Sequence, residues 1–199
     1  MPADTPMFFE PSACYELLTR HYDERLNEMT ASLKRDMELH LRHTKGVLSL
    51  CREIAAALSP EQRRMVDMDL LTAAALLHDV AKFDDKKNHH KDAGRVIAEN
   101  LDLLGWVPDG ARLNALSSVI RAHKGSFKPL ESCAREAAIL RMADKTDMLR
   151  RGKDKEDNYD EGIEVIQKYF GKHFPPDSSE GQFLPVFLSV IETLSKDFR

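Results

Sequence analysis

The chain has 199 residues, of which 42% are hydrophobic and 31% are charged, with only nine glycines and nine prolines. This composition is typical of a globular domain and argues against a disordered or fibrous protein, and the length favours a single domain. The formal net charge of -4 gives no global field that would attract a phosphate backbone, so we expect no binding to a nucleic-acid duplex.

The cysteines and the N-terminal segment indicate where the protein works. Cys14, Cys51 and Cys133 are odd in number and widely spaced, without a C-x-x-C motif. We interpret them as small buried residues in a reducing compartment. The N-terminus lacks the basic start and apolar run of a secretory signal, and no apolar stretch reaches the about 18 residues that a membrane span requires. The sequence therefore predicts a cytoplasmic protein that does not bind membranes.

The apolar residues in the first part of the chain recur with helical periodicity. A first amphipathic segment follows the candidate cap Ser12, and a long one runs from about Thr30 to Leu58. The stretch Ser59-Pro60-Glu61-Gln62 offers an N-cap, a proline at the first helical position and a glutamine at the third, which predicts a new helix start. A strongly apolar helix is predicted from Leu70 to Val80.

Helical patterns continue through the middle of the chain after one interruption. The charged stretch from Lys82 to Lys91 predicts a loop. Helices are then predicted over roughly Asp92 to Leu104, Ala111 to His123 and Leu130 to Arg151. Gly152 is a plausible C-cap for the last of them.

The C-terminal part predicts an accessory element. A polar linker is expected from Lys153 to Asp160, and two apolar-periodic pieces follow from Gly162, separated by Pro175 and Pro176, which cannot continue a helix. The apolar stretch Phe183 to Leu194 could pack inside the molecule or offer a face to a partner.

Together these patterns predict an all-α, single-domain bundle of about seven to nine helices. We divide the chain into an N-terminal helical segment packed on the core, the core itself and C-terminal accessory helices, over residues 1–36, 37–152 and 153–199.

The helix that precedes Asp79 places a histidine on its apolar face. His78 shares that face with Leu71, Ala74 and Ala75. An inward imidazole followed by a carboxylate needs compensation, because neither group is usually buried without a partner. A divalent cation would satisfy both side chains.

The same inward register recurs for His43, His123 and Asp144 on three other predicted helices. Side chains on separate helices can converge on a metal in a helical bundle. Nitrogen and oxygen donors without thiolate favour Mn or Fe, with Mg, Co, Ni or Zn also compatible. Two alternatives stay open: each histidine could be a hydrogen-bonded core residue, and Asp144 could pair with Arg141 or Lys145.

The order of these residues resembles the HD superfamily of metal-dependent phosphohydrolases over about residues 37–150. The segments that carry the resemblance are His43-Thr44-Lys45-Gly46-Val47, Ala73-Ala74-Ala75-Leu76-Leu77-His78-Asp79-Val80-Ala81-Lys82, His90-Lys91-Asp92-Ala93-Gly94, Ile120-Arg121-Ala122-His123 and Met142-Ala143-Asp144-Lys145. The resemblance implies a bundle of the HD-domain type with a metal-binding core at residues 37–152.

The resemblance also implies the ligands of one or two divalent metal ions. The first ion would be held by His43, His78, Asp79 and Asp144. His90 and His123 match positions that hold a second ion bridged by Asp79 in the two-metal branch of the superfamily. The neighbours His40 and His89 compete for these roles, but we prefer His43 and His90 because their distances along the chain to Val47 and Gly94 match the family motifs.

A metal ion lowers the pKa of bound water to about 7, so the expected nucleophile is a metal-bound hydroxide and the expected target a phosphoester or phosphoanhydride. We expect Asp79, Lys82 and His123 to be catalytic, and we expect Lys82, Lys124 and Lys145 to contact the substrate. Lys86 and Lys87 either contact substrate as well or are solvated.

Among the branches of the superfamily, the sequence is most similar to bacterial hydrolases that split symmetrical dinucleoside tetraphosphates. It shares their Leu-His-Asp-x-x-Lys signature at residues 77–82. The resemblance implies a small phosphorylated substrate of nucleotide type, and a homodimer is possible. Two other hypotheses remain: a catalytically silent HD domain that binds metal and nucleotide for signalling, and a helical scaffold protein.

Overall fold

The computed structural model describes residues 9–26, 31–104, 109–152 and 156–196. Over these ranges the chain forms ten α-helices and one short 3-10 helix, and no β-strand. The all-α class is therefore confirmed. Eight of the helices have ten or more residues, in agreement with the predicted number.

The helices follow one another along the whole described chain. In order they are α1 (Pro11–Leu26), α2 (Ala31–Ala57), α3 (Pro60–Arg64), α4 (Met68–Leu77), α5 (His89–Ala98), α6 (Leu101–Leu104), α7 (Gly110–Ala122), the 3-10 helix (Glu131–Cys133), α8 (Ala134–Arg150), α9 (Glu156–His173) and α10 (Ser179–Ser195).

The predicted helix ends at residues 59 and 152 are confirmed. The hydroxyl of Ser59 accepts a hydrogen bond from the backbone N–H of Gln62 at 3.2 Å and so begins α3. Gly152 follows α8 with a φ of 61°, a left-handed conformation that glycine adopts without steric cost.

Several predicted boundaries differ from the structure. The helix predicted to Val80 ends at Leu77, and α5 begins at His89, inside the segment predicted as a loop. The segment predicted as one helix over residues 92–104 is divided into α5 and α6, because the side-chain amide of Asn100 donates to the carbonyl of Val96 at 2.8 Å and competes with the helical ladder. The linker predicted over residues 153–160 is already helical from Glu156, since Glu156 and Asp157 carry negative charge into the first turn of α9. Residues 153–155 lie outside the described ranges.

Helix α4 occupies the centre of the bundle and packs against α1, α2, α7 and α8. Every residue from Leu70 to Leu77 is buried, as expected of a helix that is apolar on all sides. Helix α4 ends at Leu77 inside the bundle, so the next two residues, His78 and Asp79, are also buried.

The two C-terminal helices close one side of the bundle. Helix α9 packs on α8, and α10 packs on α9, α8 and α2. The rings of Phe170, Phe183 and Phe187 form a buried stack with centroid separations of 5.7 and 5.2 Å. The apolar face of α10 is thus covered within the molecule, as one of the two alternatives predicted.

None of the helices in the described part of the chain combines the length and the apolar content needed to cross a membrane. Cys14, Cys51 and Cys133 are free and buried, as predicted. The division of the chain at residues 36 and 152 stays a prediction.

Candidate metal centre

Five of the six predicted ligands meet in the interior, although they come from four helices. His43 lies on α2, His78 and Asp79 follow α4, His123 follows α7, and Asp144 lies on α8. Asp144 is the most accessible of the five, with 20% of its side chain exposed.

The first group of donor atoms consists of His43, His78 and Asp144, whose ligand atoms all lie within 4.8 Å of one another. The Nε2 atom of His43 is 3.0 Å from Oδ1 of Asp144 and 3.4 Å from Nε2 of His78. Three helices therefore aim their donors at one small volume.

The second group contains Asp79, His123 and His89, also within 4.8 Å of one another. His90, which the motif spacing favoured, lies outside this group. The reason is that α5 begins at His89, so the two consecutive side chains leave the helix about 100° apart and only one can face Asp79. His89 is fully buried with Nε2 at 2.8 Å from Oδ1 of Asp79.

His90 faces a neighbouring cleft instead, together with Lys124. Its ring centroid is 6.2 Å from that of His123, and its Nδ1 atom has no hydrogen-bond partner. Burial, together with the positive potential of His89 and Lys124, lowers the pKa of His90 to about 4. The other competitor, His40, reaches only the edge of the centre, with Nδ1 at 3.6 Å from Oδ2 of Asp79.

Three of the histidines share one local hydrogen-bond pattern that fixes their tautomer. In each, Nδ1 donates to the backbone carbonyl three residues earlier. The distances are 2.8 Å from His78 to Ala75, 2.6 Å from His123 to Ile120 and 3.0 Å from His89 to Lys86. Because a carbonyl only accepts, Nδ1 carries the proton and Nε2 keeps a lone pair when the ring is neutral.

The fourth histidine, His43, is oriented by a carboxylate that the sequence analysis did not identify. Its Nδ1 donates to Oδ2 of Asp147 at 2.6 Å, and Asp147 is also held by Nε of Arg151 at 2.6 Å. A glycine makes room for this contact, since a Cβ at Gly46 would lie 2.1 Å from Oδ1 of Asp147. Asp147 could have been found from its position three residues after Asp144, on the same side of α8.

The two oxygens of Asp79 face different groups. Oδ2 lies 3.7 Å from Nε2 of His78 and 3.9 Å from Nε2 of His43. Oδ1 lies 2.8 Å from Nε2 of His89 and 3.9 Å from Nε2 of His123. This is the arrangement of a carboxylate that can bridge two cations.

The contact between His89 and Asp79 is itself a test of whether the residues fit a metal. The 2.8 Å approach of Nε2 to Oδ1 lacks the geometry of a hydrogen bond, so Nε2 of this buried ring has no hydrogen-bond partner. When the ring is neutral, Nδ1 carries the proton, and the two facing electron-rich atoms repel each other unless a bound cation lies near both. Buried nitrogen and oxygen donors with locked tautomers are what a divalent ion such as Mn or Fe requires.

Electrostatics points to the same conclusion. Burial lowers the pKa of His78 and brings that of His123 to about 3, which favours the neutral form of both rings. Burial would raise the pKa of Asp79, but His78, His40, His89 and Lys82 hold it well below its usual range.

The pKa of His43 is shifted in the opposite direction from those of His78 and His123. Burial would lower its pKa, yet its contacts with Asp144 and Asp147 raise the value to about 10. Burial likewise fails to raise the pKa of Asp144, which falls below its usual range because His43 bonds to it. The interior around these carboxylates therefore favours positive charge.

The lysines predicted to act on substrate occupy different positions. The ammonium of Lys82 lies 3.3 Å from both oxygens of Asp79, whereas Lys124 is exposed beside His123. The stem of Lys145 packs against α9, where a Cβ at Gly162 would meet its Cδ at 2.7 Å. Lys86 and Lys87 are exposed on the segment between α4 and α5.

Two buried donors support the centre from outside, in roles that the sequence analysis did not identify. Arg141 does not pair with Asp144; its Nη1 donates at 3.0 Å to the carbonyls of Ala122 and Gly125, on either side of His123. The hydroxyl of Tyr22 on α1 donates to the backbone carbonyl of Asp79 at 2.9 Å.

One comparison with known proteins gives a match. The family model described as the HD domain matches residues 41–149, a stretch that includes both groups of donors together with Asp147. Neither a curated protein nor a solved structure matches the chain.

Proposed function

Because the chain belongs to the HD-domain family of the metal-dependent phosphohydrolase superfamily, we propose that it hydrolyses a phosphoester or phosphoanhydride bond of a small nucleotide-type substrate. The observation that carries this proposal is the position of Asp79, whose two oxygens each face a pair of imidazole Nε2 atoms. Such a centre suits hydrolysis with two cations better than a purely structural site, which would be closed by four ligands around one ion.

One cation would be held by His43, His78 and Asp144, and a second by His89 and His123, with Asp79 between them. We favour Mn or Fe for this donor set, with Mg, Co, Ni and Zn compatible. When bound, the cations supply Lewis acidity that activates water and neutralises charge on the phosphate.

The residues of the chain have separate tasks in this proposal. Asp79 holds the two halves of the centre together, and His123 presents a fixed Nε2 lone pair beside it. Lys82 orients Asp79 through contacts of 3.3 Å to both oxygens. An ammonium has three donors, so Lys82 can also donate to a phosphoryl oxygen as negative charge develops there.

Beyond this centre, we keep the other predictions as proposals. Lys124 and Lys145 are assigned to substrate contact, the protein is assigned to the cytoplasm, and a homodimer is possible. The substrate is a small molecule rather than a nucleic-acid duplex, in keeping with the net charge of -4.

Asp79→Ala tests the proposed centre, with Asp102→Ala on the exposed surface of α6 as its control. Metal content is measured by mass spectrometry, and turnover on nucleotides, dinucleoside polyphosphates and phosphodiesters. We expect loss of both metal and turnover in Asp79→Ala and neither in the control. Unchanged metal content in Asp79→Ala would contradict the site. A metal-loaded wild type without turnover on any substrate would contradict the enzyme and favour a silent signalling module.

His89→Ala and His90→Ala form a matched pair that tests the second ion. We expect His89→Ala to lower the metal stoichiometry and His90→Ala to leave it unchanged, because only His89 contacts Asp79. The reverse result would favour His90 as the ligand, as the motif spacing predicted. Two variants with unchanged stoichiometry would leave a centre with one ion.

A further inference from the structure

A cationic cleft opens between α5, α7 and the segment that follows α7, next to the candidate metal centre. It has a volume of about 410 Å³ and is lined by His90, Lys91, Arg121, Lys124 and Lys128, and no carboxylate of the described ranges lines it. Clefts of this size hold small-molecule ligands. Its composition is unusual for a chain with a net charge of -4.

The cations of this cleft have few partners of their own. In the part of the chain that the structure describes, no carboxylate forms an ion pair with Arg121, Lys124 or Lys128, and Lys91 donates only to the amide oxygen of Asn88, at 3.2 Å. Surface cations normally gain from a nearby carboxylate or complete hydration. Like charges gathered in a concave surface repel one another, so the cleft favours an anionic ligand.

The wall contributed by α7 is built for hydrogen bonding. Asn114, Ser117, Ser118 and Arg121 line the cleft and recur at the spacing of one helical face. Ser118 also accepts a hydrogen bond at 2.8 Å from the backbone N–H of Leu130. That bond holds the segment carrying Lys128 against α7, so the cation is attached to a fixed wall.

The cleft lies next to the metal centre. His90 lines it with a ring centroid 6.2 Å from that of His123, and Lys124 directly follows His123 in the chain. If one group of a ligand lies beside His123 and Asp79, the next group of the same ligand can therefore reach the cations of the cleft. Among the residues that the structure describes, His90 is the one aromatic ring that lines the cleft, so this lining suits a phosphate rather than a stacked base.

We propose that this cleft binds a second phosphate group of the substrate, joined to the phosphate that lies at the metal centre. The substrate is then a polyphosphate, such as a nucleoside di- or triphosphate, rather than a monophosphate. This inference rests on the proposed function for the metal centre, but the cleft itself is tested by binding alone. Free phosphate has the same chemistry, so the experiment separates it from a phosphate within a chain.

Orthophosphate, pyrophosphate and tripolyphosphate are titrated calorimetrically into manganese-loaded protein, with the bound metal measured again afterwards. The perturbed variant is Arg121→Ala/Lys128→Ala, and Arg64→Ala is the control, because Arg64 is an exposed cation of α3 outside the cleft. A charge-retaining variant, Arg121→Lys/Lys128→Arg, separates lost charge from lost structure.

We expect the wild type to bind more tightly as the phosphate chain lengthens. The double alanine variant should lose about tenfold or more in affinity for tripolyphosphate, the size of one charge-assisted hydrogen bond, and little for orthophosphate. The control should bind as the wild type does, and the charge-retaining variant should recover most of the loss.

Two results would contradict the proposal for the cleft. One is an equal loss of affinity for orthophosphate and tripolyphosphate in the double alanine variant, which would indicate a site for free phosphate. The other is no loss of affinity for either ligand. Failure of the proposed function gives a different result. If the wild type hydrolyses nothing but its affinity still rises with the length of the phosphate chain, the proposal for the cleft is supported and the proposed hydrolase activity is contradicted. If turnover is present and the alanine variant binds and hydrolyses polyphosphates as the wild type does, the cleft alone is wrong.

Discussion

Replacing Gly46 by alanine should weaken metal binding without changing any candidate ligand. The added Cβ would lie 2.1 Å from Oδ1 and 2.9 Å from Cγ of Asp147. That carboxylate cannot move aside easily, because His43 and Arg151 each hold Oδ2 at 2.6 Å. The methyl group must therefore displace Asp147 from Nδ1 of His43, and the ring loses the partner that fixes its orientation and tautomer.

The expected loss follows from what such orienting partners contribute. Removing the partner of a ligating histidine typically weakens metal binding by about 10- to 100-fold, equivalent to about 1.4 to 2.7 kcal/mol. Overpacking in the interior costs about 1 to 3 kcal/mol, but replacing a helical glycine by alanine returns about 1 kcal/mol. The stability of the metal-free protein should fall by no more than about 2 kcal/mol as a result.

Competition with a chromophoric chelator measures the metal affinity, and thermal denaturation of the metal-free protein measures the stability. Asp147→Ala should weaken metal binding to a similar extent by removing the same bond directly. Gly171→Ala is the matched control, because a Cβ at Gly171, also within a helix, meets no atom within 4 Å. Wild-type affinity in Gly46→Ala would refute the proposed path from Gly46 through Asp147 to His43.

Two further predictions concern buried charges outside the metal centre. Burial raises the pKa of Glu136 from 4.5 to about 7, so the stability associated with its protonated form is complete below pH 4.5 and is lost as the pH rises through 7. Relative to Glu136→Gln, the wild type should lose about 3 kcal/mol between pH 4.5 and pH 8 in urea denaturation, and parallel pH profiles would contradict this. Arg141→Met leaves the carbonyls of Ala122 and Gly125 without their donor and should cost about 2 kcal/mol or more in free energy of unfolding, whereas a loss below about 0.5 kcal/mol would show that water replaces the guanidinium.

Helical periodicity was sufficient to predict that His43, His78, His123 and Asp144 point inward. A side chain three, four or seven residues from buried apolar neighbours shares their face whatever the tertiary structure is. The structure places all four in the interior. Their role as ligands was inferred from the resemblance and stays a prediction for the metal measurements.

The choice between His89 and His90 could not be made in the same way. Both follow a charged, irregular segment, and which of them faces Asp79 depends on the residue at which α5 begins. That start is fixed locally by contacts such as the hydrogen bond from the backbone N–H of His89 to the carbonyl of Asp85, at 2.8 Å. The motif spacing is measured to Gly94 and carries no information about this bond.

The ends of the helices explain why a cation is favoured at this point of the bundle. Helices α4 and α7 both terminate at the centre, with His78 and His123 as their C-caps. The last carbonyls of a helix carry partial negative charge, which stabilises a nearby cation by about 0.3 to 1 kcal/mol in exposed settings and more where water is excluded. In both helices one of these carbonyls also accepts Nδ1–H of the capping histidine, so the same local geometry supplies negative potential and fixes the tautomer.

Helix α5 has the opposite polarity, since it begins at His89 and its first turn carries His90 and Lys91 into the cationic cleft. The positive N-terminal end of α5 therefore lies between the candidate metal centre and the cleft that we propose for phosphate. If this division is correct, raising the ionic strength should weaken tripolyphosphate binding far more than manganese binding, because exposed cations are screened by salt and buried ligands are not.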